Sequence, residues 1–252
     1  MIWLRSLLFN IAFWSVTVAM GLLALPLLLA PRRWLVPPMR WHALAVLALL
    51  RWLCGIHLRV EGRENLPRGG PALIAAKHQS AFDTFVWFAL LPDAVYVLKK
   101  ELLWLPVYGW YSWKTRQIAV DRTAGASALR HLVKAGREAA EAGRQVVIFP
   151  EGTRAALGQR RPIQPGIAAL ASATGLPVVP VATDSGRHWG RRAFRKMPGT
   201  ITIAVRPPIP AGRPRAALTR ELAFLIELDP NQPQAVVPVD KSVESAAATL
   251  RP

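Results

Sequence analysis

The octapeptide Lys77-His78-Gln79-Ser80-Ala81-Phe82-Asp83-Thr84 sets an imidazole and a carboxylate five residues apart, between the apolar runs ALIAA and FVWFALL. Five is not a same-face helical spacing, because helical side chains meet at three or four. A turn suits it better. Ser80 followed three residues later by an acid, ahead of an apolar run, has the form of a capping box. Ser80 is therefore expected at a helix N-cap and Asp83 in the first turn, with His78 two residues before the cap. From there the ring can fold back towards Asp83, and an imidazole held by a carboxylate accepts protons near neutral pH. The same residues also fit a plainer arrangement, in which Asp83 only caps and His78 is a polar loop residue.

A second stretch with chemical content is VVIFPEGTR, Val146 to Arg154. A buried strand here runs directly into Glu151-Gly152-Thr153-Arg154, and ligands of open α/β sheets bind beyond the carboxyl ends of strands. Glycine lets backbone N–H groups approach an anion, and arginine offers a two-pronged fork for phosphate. An ordinary strand-to-turn with a solvated Glu-Arg pair has the same letters. In a third stretch, Lys99, Lys100 and Arg122 bracket an aromatic segment with Trp104, Trp110 and Trp113. It could guide an amphipathic ligand along a basic rim, and equally its rings could be core or membrane contacts. Cys54 is the single cysteine, which leaves no intramolecular disulfide and no cysteine-based zinc site. His42, His57, His131 and His188 lack a comparable context. The mix around His188 suits lipid headgroups or a ligand's phosphates.

The elements that must position these residues follow from short apolar runs alternating with helical periodicity. Strands are expected at 57–62, 72–76, 94–98, 117–120, 145–149, 178–183 and 200–205. Helices are expected from Phe82 to Leu91, Ala124 to Ala142 and Gln164 to Thr174, the last opened by Pro165 and stopped by Gly175. This alternation predicts an α/β sandwich around a mixed, largely parallel sheet flanked by helices. The chain is expected to divide into an N-terminal helical segment (1–56), an α/β domain (57–228) and a tail (229–252).

Leu7 to Ala30 holds twenty-four residues without a charge. As a helix this is roughly 36 Å, enough for a hydrocarbon core of about 30 Å. A cleaved signal peptide fits less well, because the run is long and Pro31-Arg32-Arg33 stands where cleavage is expected. A second apolar stretch, Trp41 to Ile56, is broken by Arg51 and reads as interfacial, re-entrant or the second arm of a hairpin. A net charge of +17 calls for an acidic partner. The basic residues flank apolar stretches, as in PRRWLVPPMRW, and no nucleic-acid module accompanies them, so anionic membrane lipid is expected and nucleic acid is not.

Taken in order, these stretches resemble the phospholipid/glycerol acyltransferase family, and within it the 1-acyl-sn-glycerol-3-phosphate acyltransferases. The family's block H-x-x-x-x-D is His78 to Asp83, and F-P-E-G-T-R is matched letter for letter by Phe149 to Arg154. Gly109 through Asp121-Arg122 looks like the intervening block, with Ala119-Val120 where Phe-Ile is usual. Val178-Val179-Pro180-Val181 looks like the last block, and Gln164 stands where a lysine often comes.

The resemblance implies a glycerolipid acyltransferase-like fold behind a membrane-associated helical segment, with the catalytic domain on the cytoplasmic face of a bacterial inner membrane. It implies transfer of a fatty acyl group from acyl-CoA or acyl carrier protein to the sn-2 hydroxyl of lysophosphatidic acid, giving phosphatidic acid. His78 would be the general base and Asp83 its orienting acid. Glu151, Gly152, Thr153 and Arg154, with Arg122 and Lys100, would hold the acceptor's phosphate. No cofactor, metal or covalent acyl-enzyme is implied. Rival readings are another lysolipid acceptor such as a lyso-ornithine lipid, glycerol 3-phosphate, a metal-dependent phosphohydrolase using His78, Asp83 and Glu151, or a non-catalytic basic binder.

Overall fold

ALIAA is apolar at every position, the pattern of a strand covered on both faces. The computed structural model describes residues 1–231, and this strand is the middle of its sheet. The strands are β1 (Ile56–Glu61), β2 (Ala72–Ala76), β3 (Ala94–Lys99), β4 (Ile118–Val120), β5 (Gln145–Ile148), β6 (Val178–Thr183) and β7 (Gly199–Val205). They lie in the order β1-β7-β6-β2-β5-β3-β4. Every pairing is parallel except β6 with β7, so the sheet is mixed and mostly parallel as expected. The tail expected from 229 lies, beyond residue 231, outside the described residues.

The helices are α1 (Ile2–Leu23), α2 (Val36–Leu49), α3 (Val86–Leu90), α4 (Tyr108–Lys114), α5 (Gly125–Glu141), α6 (Gly166–Thr174), α7 (Ser185–His188) and α8 (Arg215–Glu227). Leu73 and Ala75 of β2 face one core, with Leu132 of α5, Leu170 of α6 and Leu222 of α8. Ile74 and Ala76 face the other, with Phe9 of α1, Val46 of α2 and Trp87 of α3. The N-terminal hairpin is thus a covering layer of the sheet. Arg32, between α1 and α2, adds a two-pronged pair to Asp93 at 2.8 and 2.9 Å.

Helix α1 is long and apolar enough to cross a membrane by length and composition. One face of it is nonetheless docked along the whole length. Ser6 Oγ accepts the Lys196 N–H at 2.9 Å, and Asn10 Oδ1 accepts from Lys196 Nζ at 3.3 Å. Thr17 Oγ1 meets His42 Nε2 at 2.9 Å, and the Gly21 carbonyl accepts the Tyr111 hydroxyl at 2.6 Å. Away from that stripe the helix is exposed, with Leu4, Leu8, Ile11, Val18 and Leu22 open to the surroundings. Lys196 is itself buried, donating to the Ala193 and Phe194 carbonyls beside the Trp189 ring.

The helix expected over 82–91 is divided, a correction with a visible cause. A single 3-10 turn, Phe82–Thr84, precedes α3. The Tyr96 hydroxyl accepts the Trp87 N–H at 3.2 Å and donates to the Asp83 carbonyl at 3.4 Å, so it stands in the i→i−4 bond a continuous helix would make.

Candidate active site

Strands β2 and β5 are parallel neighbours with Ala75 opposite Ile148, so both deliver their next residues to the same sheet edge. The His78 ring stacks on Phe149, centroids 4.0 Å apart and planes 15° from parallel. Its Nδ1 lies 3.0 Å from Asp83 Oδ2, which also accepts the N–H groups of Gln79 at 2.7 Å and Ser80 at 2.8 Å. Ser80 Oγ accepts the Phe82 N–H at 3.1 Å. The capping-box reading therefore has its acid-to-Ser80 bond, on a 3-10 turn. A carboxylate oxygen can only accept, so the Nδ1 bond calls for the tautomer with its proton on Nδ1, which leaves the Nε2 lone pair facing away from Asp83.

The loop after β5 grips the main chain of His78 from both sides. Glu151 Oε2 accepts the His78 N–H at 3.2 Å, and the Ala155 N–H donates to the His78 carbonyl at 2.8 Å. Glu151 is 3% exposed, and its other oxygen is buried without a partner among the described residues. Burial pushes its carboxyl pKa up, opposed by the His78 N–H and Lys77. One residue upstream, Lys77 is tied to Glu227 of α8 at 2.5 Å. Glu151, expected at the acceptor's phosphate, stands at the floor of the cleft with its Oε2 turned onto the histidine's backbone.

A cleft of about 690 Å³ opens over His78. Tyr96, Val97, Leu102, Tyr108 and Leu129 give it an apolar wall, and Arg122, Arg154, Arg161, Arg191 and Arg192 a basic one. Gly152 and Thr153 also line it. Among the described residues Arg154, Arg161, Arg191 and Arg192 form no salt bridge. Burial lowers the Arg154 pKa, Asp83 opposes that shift, and Arg191 and Arg192 add to it. Arg122 donates to the Gly152 carbonyl, tying the exit of β4 to the loop. Gly152 has φ +70°, a conformation glycine adopts without strain.

Lys100, expected at the acceptor's phosphate, sits apart from these arginines. It does not line the cleft and instead pairs with Asp121, whose carboxyl that lysine first, then Thr123, holds at about 2. Arg161, which the sequence reading did not single out, does line it. His188 turns away, donating from Nδ1 to the Met197 carbonyl at 3.0 Å. Among the described residues no three His, Cys, Asp or Glu side chains gather as metal ligands. A second pocket of about 290 Å³, between Leu47, Trp52, Leu58 and Phe82, does not reach His78.

The fold and site define an α/β protein with a His–Asp pair at the carboxyl edge of a mixed sheet, beneath a cleft apolar on one side and arginine-lined on the other. Residues 57–184 match the family model described as Acyltransferase, about half of the chain, and the chain belongs to that family. A 1-acyl-sn-glycerol-3-phosphate acyltransferase of Pseudomonas aeruginosa is 40% identical over 163 residues, covering 65% of this chain and 63% of that protein. The proteins of that name from Limnanthes alba, at 34%, and its alpha form from Homo sapiens, at 29%, align over 64% of this chain and 57% and 58% of their own. The matched region is thus less than two thirds of the length of these curated relatives. The crystal structure of the 1-acyl-sn-glycerophosphate (LPA) acyltransferase PlsC from Thermotoga maritima shares the fold, with TM-score 0.73 over 90% of this chain and 96% of that one, at 21% identity.

Proposed function

We propose that this protein transfers a fatty acyl group from acyl-CoA or acyl carrier protein to the sn-2 hydroxyl of lysophosphatidic acid, forming phosphatidic acid. One observation carries the reading: His78 opens into a single cleft with an apolar wall for a chain and, for a phosphate, four arginines that form no salt bridge among the described residues. Nε2 takes the hydroxyl proton as the oxygen attacks the thioester carbonyl. The C–O bond forms, the C–S bond breaks, and the same proton passes to the departing thiolate. A thiol of pKa about 8.5 leaves readily, so placing the reactants supplies much of the rate. Asp83 fixes the ring's tautomer and favours the imidazolium, as in hydrolase triads, with the substrate hydroxyl in place of an enzyme serine.

Arg154, with Arg161, Arg191 and Arg192, holds the acceptor's phosphate, while Arg122, Gly152 and Thr153 shape the loop around it. That arginine wall favours a phosphate acceptor over a lyso-ornithine lipid, whose headgroup sets an ammonium beside its carboxylate and so carries no net negative charge. The hairpin lies in one leaflet with the basic domain at the cytoplasmic face, in bacteria the inner membrane. Its support is that Ser6 and Gly21, near the two ends of α1, both contact the body of the protein.

The test is thiol release from an acyl thioester by purified protein, with and without lysophosphatidate. Acceptor-dependent release is expected from the wild type, with His78→Ala reducing it at least about 10³-fold. Release that survives that change overturns the mechanism. Arg154→Ala is expected to raise KM for lysophosphatidate about tenfold or more, and an unchanged KM removes Arg154 from its role.

A further inference from the structure

Ten consecutive residues after β3, from 104 to 113, expose five large side chains. Trp104 is 84% exposed, Trp113 74%, Trp110 52%, Leu105 48% and Tyr108 47%. We infer that this ledge is a membrane-docking element distinct from the N-terminal hairpin, seating the mouth of the cleft in an anionic lipid bilayer. The inference rests on the membrane-bound reading above and deepens it.

The backbone beneath the ledge is well packed, so its rings are held outward. A Cβ at Gly109 would stand 1.9 Å from the Leu103 carbonyl oxygen, which sets α4 directly on the preceding 3-10 turn. Ser112 and Thr115 are buried, and Thr115 Oγ1 donates to the Tyr111 carbonyl at 2.6 Å. Indole and phenol rings combine an apolar body with a polar atom, which suits them to the headgroup level of a bilayer.

Continuity with α1 identifies the occupant. The Tyr111 hydroxyl donates to the Gly21 carbonyl at 2.6 Å, and a Cβ at Gly21 would lie 3.0 Å from a Val107 methyl. The ledge therefore adjoins the end of α1 where Leu22, Leu23 and Leu29 are exposed. Lys99 and Arg116, both exposed, flank it with charge complementary to anionic headgroups. On its inner side Leu102 and Tyr108 line the cleft, so a lipid leaving the leaflet over the ledge meets the apolar wall first.

The test is the triple variant Trp104→Ser/Trp110→Ser/Trp113→Ser beside the triple Trp→Phe variant. Each is assayed with a short-chain lysophosphatidate dissolved below its micellar concentration, and with a long-chain one in phosphatidylglycerol/phosphatidylethanolamine vesicles. The serine variant is expected within about twofold of wild type on the dissolved acceptor and about tenfold or more below it on vesicles, with the phenylalanine variant restoring most of the loss. Cosedimentation with those vesicles should fall in parallel. Equal vesicle activity and binding in the serine variant and wild type overturns the inference, as does an equal loss on both acceptors. If wild type transfers no acyl group to either acceptor, the proposed function fails, and cosedimentation alone still decides the ledge.

Discussion

At the scale of single residues, position 151 separates two uses of the FPEGTR loop. A carboxylate that held a phosphate would be repelled by it, whereas Glu151 accepts the N–H of His78 from inside the protein. Glutamine keeps an acceptor oxygen there and alanine does not. Glu151→Ala is expected to lower kcat about 10- to 100-fold with little change in the KM for lysophosphatidate, and Glu151→Gln to retain most of the activity. A KM effect confined to the acceptor would return Glu151 to phosphate binding. A pH signature accompanies this. Burial raises the Glu151 pKa in the fold, so its stability contribution is complete below the ordinary glutamate range and is lost as pH rises through the folded value. The melting temperature of Glu151→Gln relative to wild type should therefore climb with pH from that range upward.

The pairing of His78 with Asp83 was legible at this scale because both lie in one turn, and local geometry fixes their reach. The pairing of Lys100 was not legible, for the opposite reason. Its partner Asp121 is twenty-one positions away in the chain, on the neighbouring strand's exit, and only the pairing of β3 with β4 brings them together.

Among the elements, α4 depends on a residue with no side chain. Gly109→Ala would drive a Cβ into the Leu103 carbonyl, and the atoms it meets are backbone, so the two segments must separate. A loss of about 1–3 kcal/mol is expected, read as a lowered melting temperature, with vesicle activity falling further than activity on a dissolved acceptor. An unchanged melting temperature would contradict this packing. The seven strands were readable from apolar runs bounded by turns, within a residue at most ends. Helix α8 was also readable, since Leu218, Leu222, Leu225 and Ile226 recur at helical spacing, but it was not among the expected helices. The split of 82–91 was not readable, because the hydroxyl that causes it comes from β3. In α1, Ser6, Asn10, Thr17 and Gly21 form one stripe of small and polar residues in an apolar helix. That stripe is a docking signal which length and hydropathy alone conceal.

For the molecule as a whole, α1 is docked on the protein near both of its ends, and the one-leaflet reading of the hairpin proposed above then predicts the N-terminus on the same side as the cleft. An epitope tag before Met1 and a label at Arg130, exposed on α5, should be accessible from the same face of oriented membrane vesicles. Access from opposite faces would make α1 a span and detach it from Lys196 and Tyr111. The amino-acid sequence by itself determined the strands, the apolar helix α1, helices α5 and α6 and the His–Asp turn, because each arises from neighbours within a few residues. Tertiary structure alone decided that β5 lies beside β2, that Glu151 points at a backbone and Lys100 at an aspartate, and that an apolar helix lies along the domain. Those outcomes depend on contacts between residues tens of positions apart, which strand pairing and sheet coverage set.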